Sequence, residues 1–216
     1  EPQGIELLRS LEVGRVILAR ELTLPEIARL AAATPMPLEV FVHGALCISY
    51  SGQCLASEAL GGRSANRGLC AQACRLPYQL VVDGCLHDLG DRRYLLSSQD
   101  LAAHDHIPEL VRLGVAGFKI EGRLKSAAYV AAATRIYRAA IDAAVRGESS
   151  ALAPEDESDL ALSFSRGLGH GFLDGIDHRN LVPGRSSKKR GLLIGAVVAK
   201  TARGIVVKTQ GPPATQ

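Results

Sequence analysis

The chain has 216 residues, of which 47% are hydrophobic and 22% are charged, and its formal net charge is +3. These proportions exclude a disordered or fibrous protein, and no apolar run reaches the roughly 18 residues that a membrane-spanning helix needs. The N-terminus has no basic-then-apolar signal pattern, so we expect a cytoplasmic protein. Because the only methionine is Met36, we also expect the chain to be part of a longer protein.

The charge is distributed unevenly along the chain. Residues 1–162 carry 16 Lys and Arg against 20 Asp and Glu, whereas residues 163–216 carry 9 against 2. A basic segment of this kind attracts phosphate, although a solvated basic surface without a partner is the commoner case.

The first part of the chain alternates short β-rich runs with an amphipathic helix. Residues 15–20 predict a strand, and Thr23 predicts the N-cap of a helix because Glu26 stands three positions later. Residues 38–43 predict the next strand. The order is therefore strand, helix, strand.

A long loop follows. Residues 44–75 are rich in Gly, Ser, Cys, Asn and Arg, and this length indicates a functional loop or an insertion organised by a cofactor. Regular structure resumes with Tyr78–Val82, which we expect to pair with Tyr94–Ser97 around a turn at Asp83 and Gly84.

The next segment predicts three helices and one strand. Residues 107–113 predict a short helix, and residues 115–120 predict a strand. Ser126 predicts the cap of a long helix that runs to about Val145. Residues 154–163 predict one further helix.

Strands that alternate with helices predict an α/β fold with a parallel sheet, either open or closed into a (β/α)8 barrel. Residues 15–146 supply only about four strands, too few for such a barrel. We therefore expect the later half of a TIM-like (β/α) barrel, with the missing half preceding Glu1. Ligand sites in these folds gather at the C-terminal ends of the strands.

The last part of the chain predicts a change of architecture. Residues 164–190 lack apolar periodicity and predict a connector, whereas residues 191–216 predict the first hairpin of a truncated β-rich domain. We expect the half-barrel to occupy residues 1–163, with residues 44–75 as its Cys-rich loop.

Four of the five cysteines crowd into one stretch with the spacing Cys47-x6-Cys54-x15-Cys70-x3-Cys74, and Cys85 follows. This clustering indicates a metal site. Structural zinc favours closely spaced pairs, which suits the last two members but not the first two. An iron–sulfur cluster tolerates irregular spacing, so the pattern favours a [4Fe–4S] cluster over zinc, with free structural cysteines as the third reading.

Several segments are similar to the signature motifs of the U32 group, long labelled collagenase-like peptidases. The matching segments are Glu39–Cys47, Ser51–Ser57, Gly62–Gly68, Cys70–Tyr78, Ser98–Leu101, Lys119–Arg123 and Tyr129–Asp142. Two later segments, Phe164–Phe172 and Arg190–Val197, resemble the longer members of the group, in which a β-rich domain follows a TIM-barrel-like half.

The resemblance implies two different activities. One branch of the group hydroxylates RNA bases or quinone precursors without molecular oxygen, using a [4Fe–4S] cluster. Its long members are similar to the synthase of 5-hydroxycytidine in 23S ribosomal RNA, with prephenate implicated as the oxygen donor. The other activity is proteolysis. On the hydroxylase reading, RNA is the partner and the cluster ligands are Cys47, Cys54, Cys70 and Cys74.

The motifs of a peptidase are missing from the sequence. It contains neither His-Glu-x-x-His nor Gly-x-Ser-x-Gly, and a pairing of Cys47 with His43 would consume a cluster ligand. We therefore favour the RNA hydroxylase over the collagenase-like peptidase. A non-catalytic binding module stabilised by zinc is the third hypothesis.

Candidate catalytic residues lie on two predicted strands. Glu39 and His43 share one strand face, and Lys119, Glu121 and Arg123 end the 115–120 strand, where sites of this fold gather. The alternative for all five is a structural network of ion pairs.

The Cys-rich loop supplies the candidate substrate-binding residues, which are Arg63, Asn66, Arg67 and Arg75. The alternative is that they only keep the loop soluble.

Four histidines receive weaker predictions. We expect His104 and His106 to be surface or capping residues and not ligands, whereas His170 and His178 lie in the basic connector, where contact with RNA is a hypothesis.

Overall fold

The computed structural model describes residues 1–148 and 151–209. The α-helices of this part are α1 (Pro2–Ser10), α2 (Leu24–Ala33), α3 (Ala56–Gly61), α4 (Ile107–Arg112), α5 (Ala127–Val145), α6 (Pro154–Ser163) and α7 (His178–Leu181). The strands are β1 (Val16–Ile17), β2 (Leu38–Ala45), β3 (Leu80–Val82), β4 (Cys85–His87), β5 (Asp100–Ala102), β6 (Gly117–Ile120), β7 (Leu168–Gly169), β8 (Gly195–Thr201) and β9 (Gly204–Thr209).

The main sheet is built around β2. Strands β1 and β6 pair with β2 in parallel, whereas β5 pairs antiparallel with its end, and β7 pairs in parallel with β5. The predicted α/β class is therefore confirmed, and the sheet of the described residues is mixed. The half-barrel remains a prediction.

The hydrophobic core lies between β2 and the helices that follow the other strands. Val42 in the middle of β2 is fully buried, and the same cluster contains Leu30 of α2, Leu110 of α4 and Tyr137 of α5. Packing of apolar helix stripes against one sheet is the arrangement that the alternating pattern predicts.

Local capping signals set two helix starts. The Thr23 side chain accepts the amide of Glu26 while the Glu26 carboxylate accepts the amide of Thr23, which completes a capping box at α2. The Ser126 hydroxyl accepts the amide of Tyr129 at the start of α5. Both predicted caps are confirmed.

The predicted pairing of Tyr78–Val82 with Tyr94–Ser97 is wrong. The tight turn at Asp83 and Gly84 closes a hairpin of the neighbouring strands β3 and β4, in which Val82 pairs with Cys85. The reason is the turn itself, because both central residues have positive φ and a two-residue turn joins adjacent strands.

Residues 164–190 differ from a plain connector. They contribute β7 to the main sheet, and Phe172, Leu173 and Leu181 of this segment are buried in the core cluster. The backbone amide of Leu24 also donates to Leu173 O at 3.0 Å. The segment therefore packs on the domain that precedes it.

Residues 195–209 form the predicted hairpin of β8 and β9, and nearly all of its side chains are exposed. The final residues of the predicted domain, 210–216, lie outside the described part. No helix within the described ranges is long and apolar enough to cross a membrane.

Candidate four-cysteine site

One large cavity brings together the residues of the Cys-rich loop. It has a volume of ≈ 1070 Å³, and four of the five cysteines line it: Cys47, Cys54, Cys70 and Cys74. All four thiols are partly buried and none forms a disulfide. We call this space the cysteine cavity.

The main sheet delivers the first thiol. Cys47 lies two residues after the C-terminal end of β2, the edge at which sites of α/β folds gather. The backbone can pass there because Gly44 has φ +100° and no side chain. A Cβ on Gly44 would stand 2.2 Å from Glu121 O and 2.7 Å from Tyr129 Oη.

Hydrogen bonds within the loop position Cys54 and Cys70. The Asn66 side chain accepts the amide of Cys54 at 3.0 Å and donates to its carbonyl at 3.1 Å. The buried Ser57 hydroxyl accepts the amide of Ala71, beside Cys70, at 2.8 Å. The amide of Gln72 donates to Cys70 Sγ at 3.3 Å.

The thiols influence one another electrostatically. Burial raises the pKa of Cys74, the neighbouring Arg75 opposes that rise, and Cys47, Cys70 and Cys54 add to it. A metal needs thiolates, so positive charge from a bound metal favours loss of the Cys74 proton.

The donor set of the cavity fits an iron–sulfur group. Among the described residues, no three of the thiols lie within 4.8 Å of one another. A tetrahedral zinc ion with Zn–S bonds of about 2.3 Å requires sulfurs about 3.8 Å apart. A cluster of several metal atoms binds thiolates at its corners, and the wider spacing suits it better.

Arg75 lies beside the thiols and is engaged with the protein. Its guanidinium donates to Ser97 Oγ at 2.8 Å and to Leu46 O at 2.8 Å, and it also bonds Ser98. Burial lowers the pKa of Arg75, as does the charge of Arg166. Arg75, which the sequence predicts as a substrate-binding residue, therefore anchors the loop to the chain around β2 and β5.

The other three loop residues that were predicted to bind substrate divide into two groups. Asn66 lines the cysteine cavity, but its side-chain amide is occupied by Cys54. Arg63 and Arg67 are exposed, and the structure does not place them among the cavity residues. Cys85 also lies apart, exposed on β4.

The predicted catalytic residues are likewise separated. Glu121 and Arg123 line the cysteine cavity, and Glu121 accepts the amide of Arg123 at 3.1 Å. Glu39 and Lys119 are not cavity residues. Glu39 pairs with Arg15 at 3.0 Å and lies 3.9 Å from Lys119. These contacts match the alternative prediction, a structural network of ion pairs.

His43 is buried in the core and does not line the cavity. The Tyr137 hydroxyl donates to Val42 O at 2.9 Å, so His43 Nδ1, 3.3 Å from that hydroxyl, is the donor of their contact. Its Nε2 has no hydrogen-bond partner among the described residues. Burial lowers the pKa of His43 to about 4, which keeps the ring neutral at physiological pH.

Sequence reasoning missed a basic rim on the cavity. The residues of this rim are Arg20, Lys125, Lys188 and Lys189, and Arg166 lines the same cavity from a buried position. The Lys125 ammonium lies 2.9 Å from the centroid of the Phe164 ring, and Arg166 forms a buried ion pair with Asp100. Asp100 and Arg166 both lie in segments that are similar to U32 motifs. This similarity was the sequence feature that could have identified the pair.

Fold and cavity together define an α/β protein with a four-cysteine site under a basic rim. The chain belongs to peptidase family U32, whose model matches residues 1–183. No solved structure matches the chain.

Three relatives illustrate the range of the family. An uncharacterized protease of Methanocaldococcus jannaschii is 40% identical over 85% of this chain and 48% of its own length. The 23S rRNA 5-hydroxycytidine synthase of Escherichia coli is 43% identical over 74% of the chain and 23% of its own length. The tRNA hydroxylation protein P1 of Bacillus subtilis is 38% identical over 65% of the chain and 35% of its own length. The chain therefore spans less than half of each relative.

Proposed function

We propose that the whole protein hydroxylates a base of ribosomal or transfer RNA without molecular oxygen. The observation that carries the proposal is the cysteine cavity, which four thiols line together with Lys and Arg side chains. The names of two relatives, a rRNA 5-hydroxycytidine synthase and a tRNA hydroxylation protein, support the same reaction class.

In this proposal Cys47, Cys54, Cys70 and Cys74 hold a [4Fe–4S] cluster, which supplies redox chemistry when bound. The chain also supplies a hydrogen-bond donor and a positive charge near the ligand sulfurs. The Gln72 amide donates to a ligand sulfur, and the Arg75 guanidinium stands beside the thiols. Both favour the thiolate form that metal binding requires.

The basic rim binds the anionic reactants. Lys125, Lys188 and Lys189 line the cavity, where they attract the phosphates of an RNA strand. Arg123 of the same cavity has a guanidinium that suits the carboxylates of a small oxygen donor such as prephenate. The space of ≈ 1070 Å³ accommodates a flipped base together with such an anion.

The wider architecture belongs to the same proposal. Residues 1–163 form the later half of a TIM-like barrel, residues 164–190 continue from it, and residues 191–216 begin a β-rich domain. A protein that acts on ribosomal or transfer RNA works in the cytoplasm.

Metal analysis of the anaerobically purified whole protein tests the cofactor. We expect four iron and four sulfide per chain, about the content of one cluster. A preparation that contains zinc in place of iron, or one that is metal-free and still hydroxylates RNA, contradicts the proposal. The zinc result supports the third hypothesis, a binding module.

Proteolysis is the second candidate, favoured by the relative named as a protease. The two functions are separable because a peptidase has no need of the cluster. The peptidase is supported if the whole protein cleaves gelatin and still does so after all four cavity cysteines are changed to Ser. Loss of RNA hydroxylation in the same variant, with no gelatin cleavage at any stage, supports the hydroxylase.

A further inference from the structure

A second group of ligand-type side chains lies outside the cysteine cavity. His106 ends the short 3-10 turn before α4, whereas His170 and Asp174 lie in the loop after β7. The Asp174 carboxylate contacts His106 Nε2 at 2.6 Å and His170 Nδ1 at 2.7 Å. We call these three residues the His–His–Asp cluster, and none of them lines the cysteine cavity.

The geometry of the cluster is convergent. Its three ligand atoms lie within 4.8 Å of one another, and the two imidazole rings are nearly perpendicular, with centroids 4.5 Å apart. Each ring therefore aims a different nitrogen at the same carboxylate. Two imidazoles and one carboxylate are a donor set that binds zinc and other first-row divalent metals.

A second carboxylate lies near one of these rings. Asp105 Oδ2 lies 3.4 Å from His170 Nε2, the nitrogen that does not face Asp174. In metal sites a ligating histidine commonly directs its other ring nitrogen to a carboxylate, which fixes the tautomer and the ring plane. Asp105 stands on the side of His170 where such a carboxylate would lie.

The charges of the cluster also suit a divalent cation. In the described part of the chain, Asp105 and Asp174 pair only with imidazoles, and no Lys or Arg neutralises them.

Space for a further ligand is present beside the cluster. His170 and Asp174 line a cavity of ≈ 330 Å³, together with Asp100 and Asn180. A metal held by three protein atoms therefore retains a position for water or another small ligand.

We propose that His106, His170 and Asp174 bind one divalent transition metal, with Asp105 positioning His170. The metal joins the start of α4 to the loop after β7, and it clamps residues 164–183 onto the domain that precedes them. Buried Phe172 and Leu173 lie between the two loop ligands and hold this loop on the core. The site is separate from the four-cysteine site.

Titration with Co²⁺ of the whole protein in which all four cavity cysteines are changed to Ser tests the proposal, because any Co²⁺ spectrum then comes from ligands other than these thiolates. Ligation by the cluster gives visible d–d bands without a sulfur-to-cobalt charge-transfer band. We expect one Co²⁺ per chain with this signature. We also expect the signature to be lost in His170→Ala and Asp174→Asn, and retained in His87→Ala, which removes an exposed histidine on β4.

Asp105→Asn is the milder variant, since Asp105 is exposed and is not a ligand in the proposal. It is expected to weaken Co²⁺ binding about 10- to 100-fold, the usual effect of removing a partner of a metal-bound histidine. Thermal unfolding without metal checks that each variant folds. The proposal is overturned if Co²⁺ gives no d–d bands in the protein that lacks the four cavity cysteines, or if the d–d signature survives in both folded ligand variants.

Discussion

Individual cysteines differ in their surroundings, and this difference makes a test of the cofactor proposal. Cys70 lines the cysteine cavity and accepts a backbone hydrogen bond, whereas Cys85 is exposed on a hairpin away from it. We expect Cys70→Ser to lose most of the iron of the anaerobically purified protein and Cys85→Ser to retain it. Iron and sulfide analysis measures both, and equal iron loss in the two variants contradicts the assignment.

Burial of His43 makes stability depend on pH. Its folded pKa of about 4 lies below the ordinary value of 6.5, so the unfolded state binds more protons between these values and stability falls as pH drops through that window. The loss from pH 7.5 to pH 5 is about 2 kcal/mol. We expect the difference in the free energy of unfolding between pH 7.5 and pH 5 to be smaller in His43→Gln. Denaturant unfolding at both pH values measures it.

His87→Gln is the matched control for that experiment, because His87 is exposed. It is expected to leave the pH dependence of the free energy of unfolding unchanged. An equal pH dependence in His43→Gln and in the unmodified protein would show that His43 is not the responsible group.

At the residue scale, the sequence identified the cysteine quartet but not the surroundings of each candidate. Spacing and motifs singled out the four thiols that line one cavity. The burial of His43 and the ion pairs of Glu39 depend on side chains distant in sequence, Tyr137 and Arg15, and local alternation carries no information about them. The burial of His104 and His106, both expected to be surface or capping residues, has the same cause.

The crossing of β2 and the segment after β6 leaves no room for a side chain at Gly44. Gly44→Ala introduces a Cβ that would stand 2.2 Å from Glu121 O, at a residue with φ +100°. We expect a loss of about 2 to 4 kcal/mol in the free energy of unfolding.

Gly4→Ala is the control for this change. Gly4 lies in the helix α1, and a Cβ there meets no atom within 4 Å. Alanine is expected to leave stability unchanged or to raise it by up to about 1 kcal/mol. Chemical denaturation of both variants measures the difference, and similar free energies for the two would contradict the close approach at Gly44.

At the element scale, capped helices were predictable and short strands were not. The caps at Thr23 and Ser126 act through neighbours three residues away, so a local pattern suffices. The two-residue strand β7 forms because residues 168–169 pair with β5, far away in sequence. A pairing of that kind leaves no periodicity to detect.

The hairpin of β8 and β9 is a peripheral unit of the described molecule. Its apolar residues Val197, Val198, Ile205 and Val206 range from 46% to 62% exposed, so the core gains little from them. We expect deletion of residues 191–216 to change the free energy of unfolding by less than about 1 kcal/mol, measured by denaturant. A loss of several kcal/mol would show that the hairpin supports the preceding domain.

At the scale of the whole molecule, alternation of strands and helices was sufficient for the α/β class. It did not reveal the antiparallel pairing of β5 with β2, because strand direction depends on the path of the long segment between them, which contains the Cys-rich loop and the hairpin of β3 and β4. The basic rim was equally hidden, since Lys125 and Lys188 come from distant segments that meet only in the fold. The charge excess after residue 163 indicated that such a surface exists, but not where it lies.

The most direct test of the proposed function is mass spectrometry of ribosomal and transfer RNA nucleosides from a strain that lacks the whole protein. The account predicts that one nucleoside loses the mass of a single oxygen atom. It also predicts that the intact protein restores this oxygen and that the Cys70→Ser variant does not. An unchanged set of nucleosides in the deletion strain, or full restoration by the Cys70→Ser variant, would contradict it.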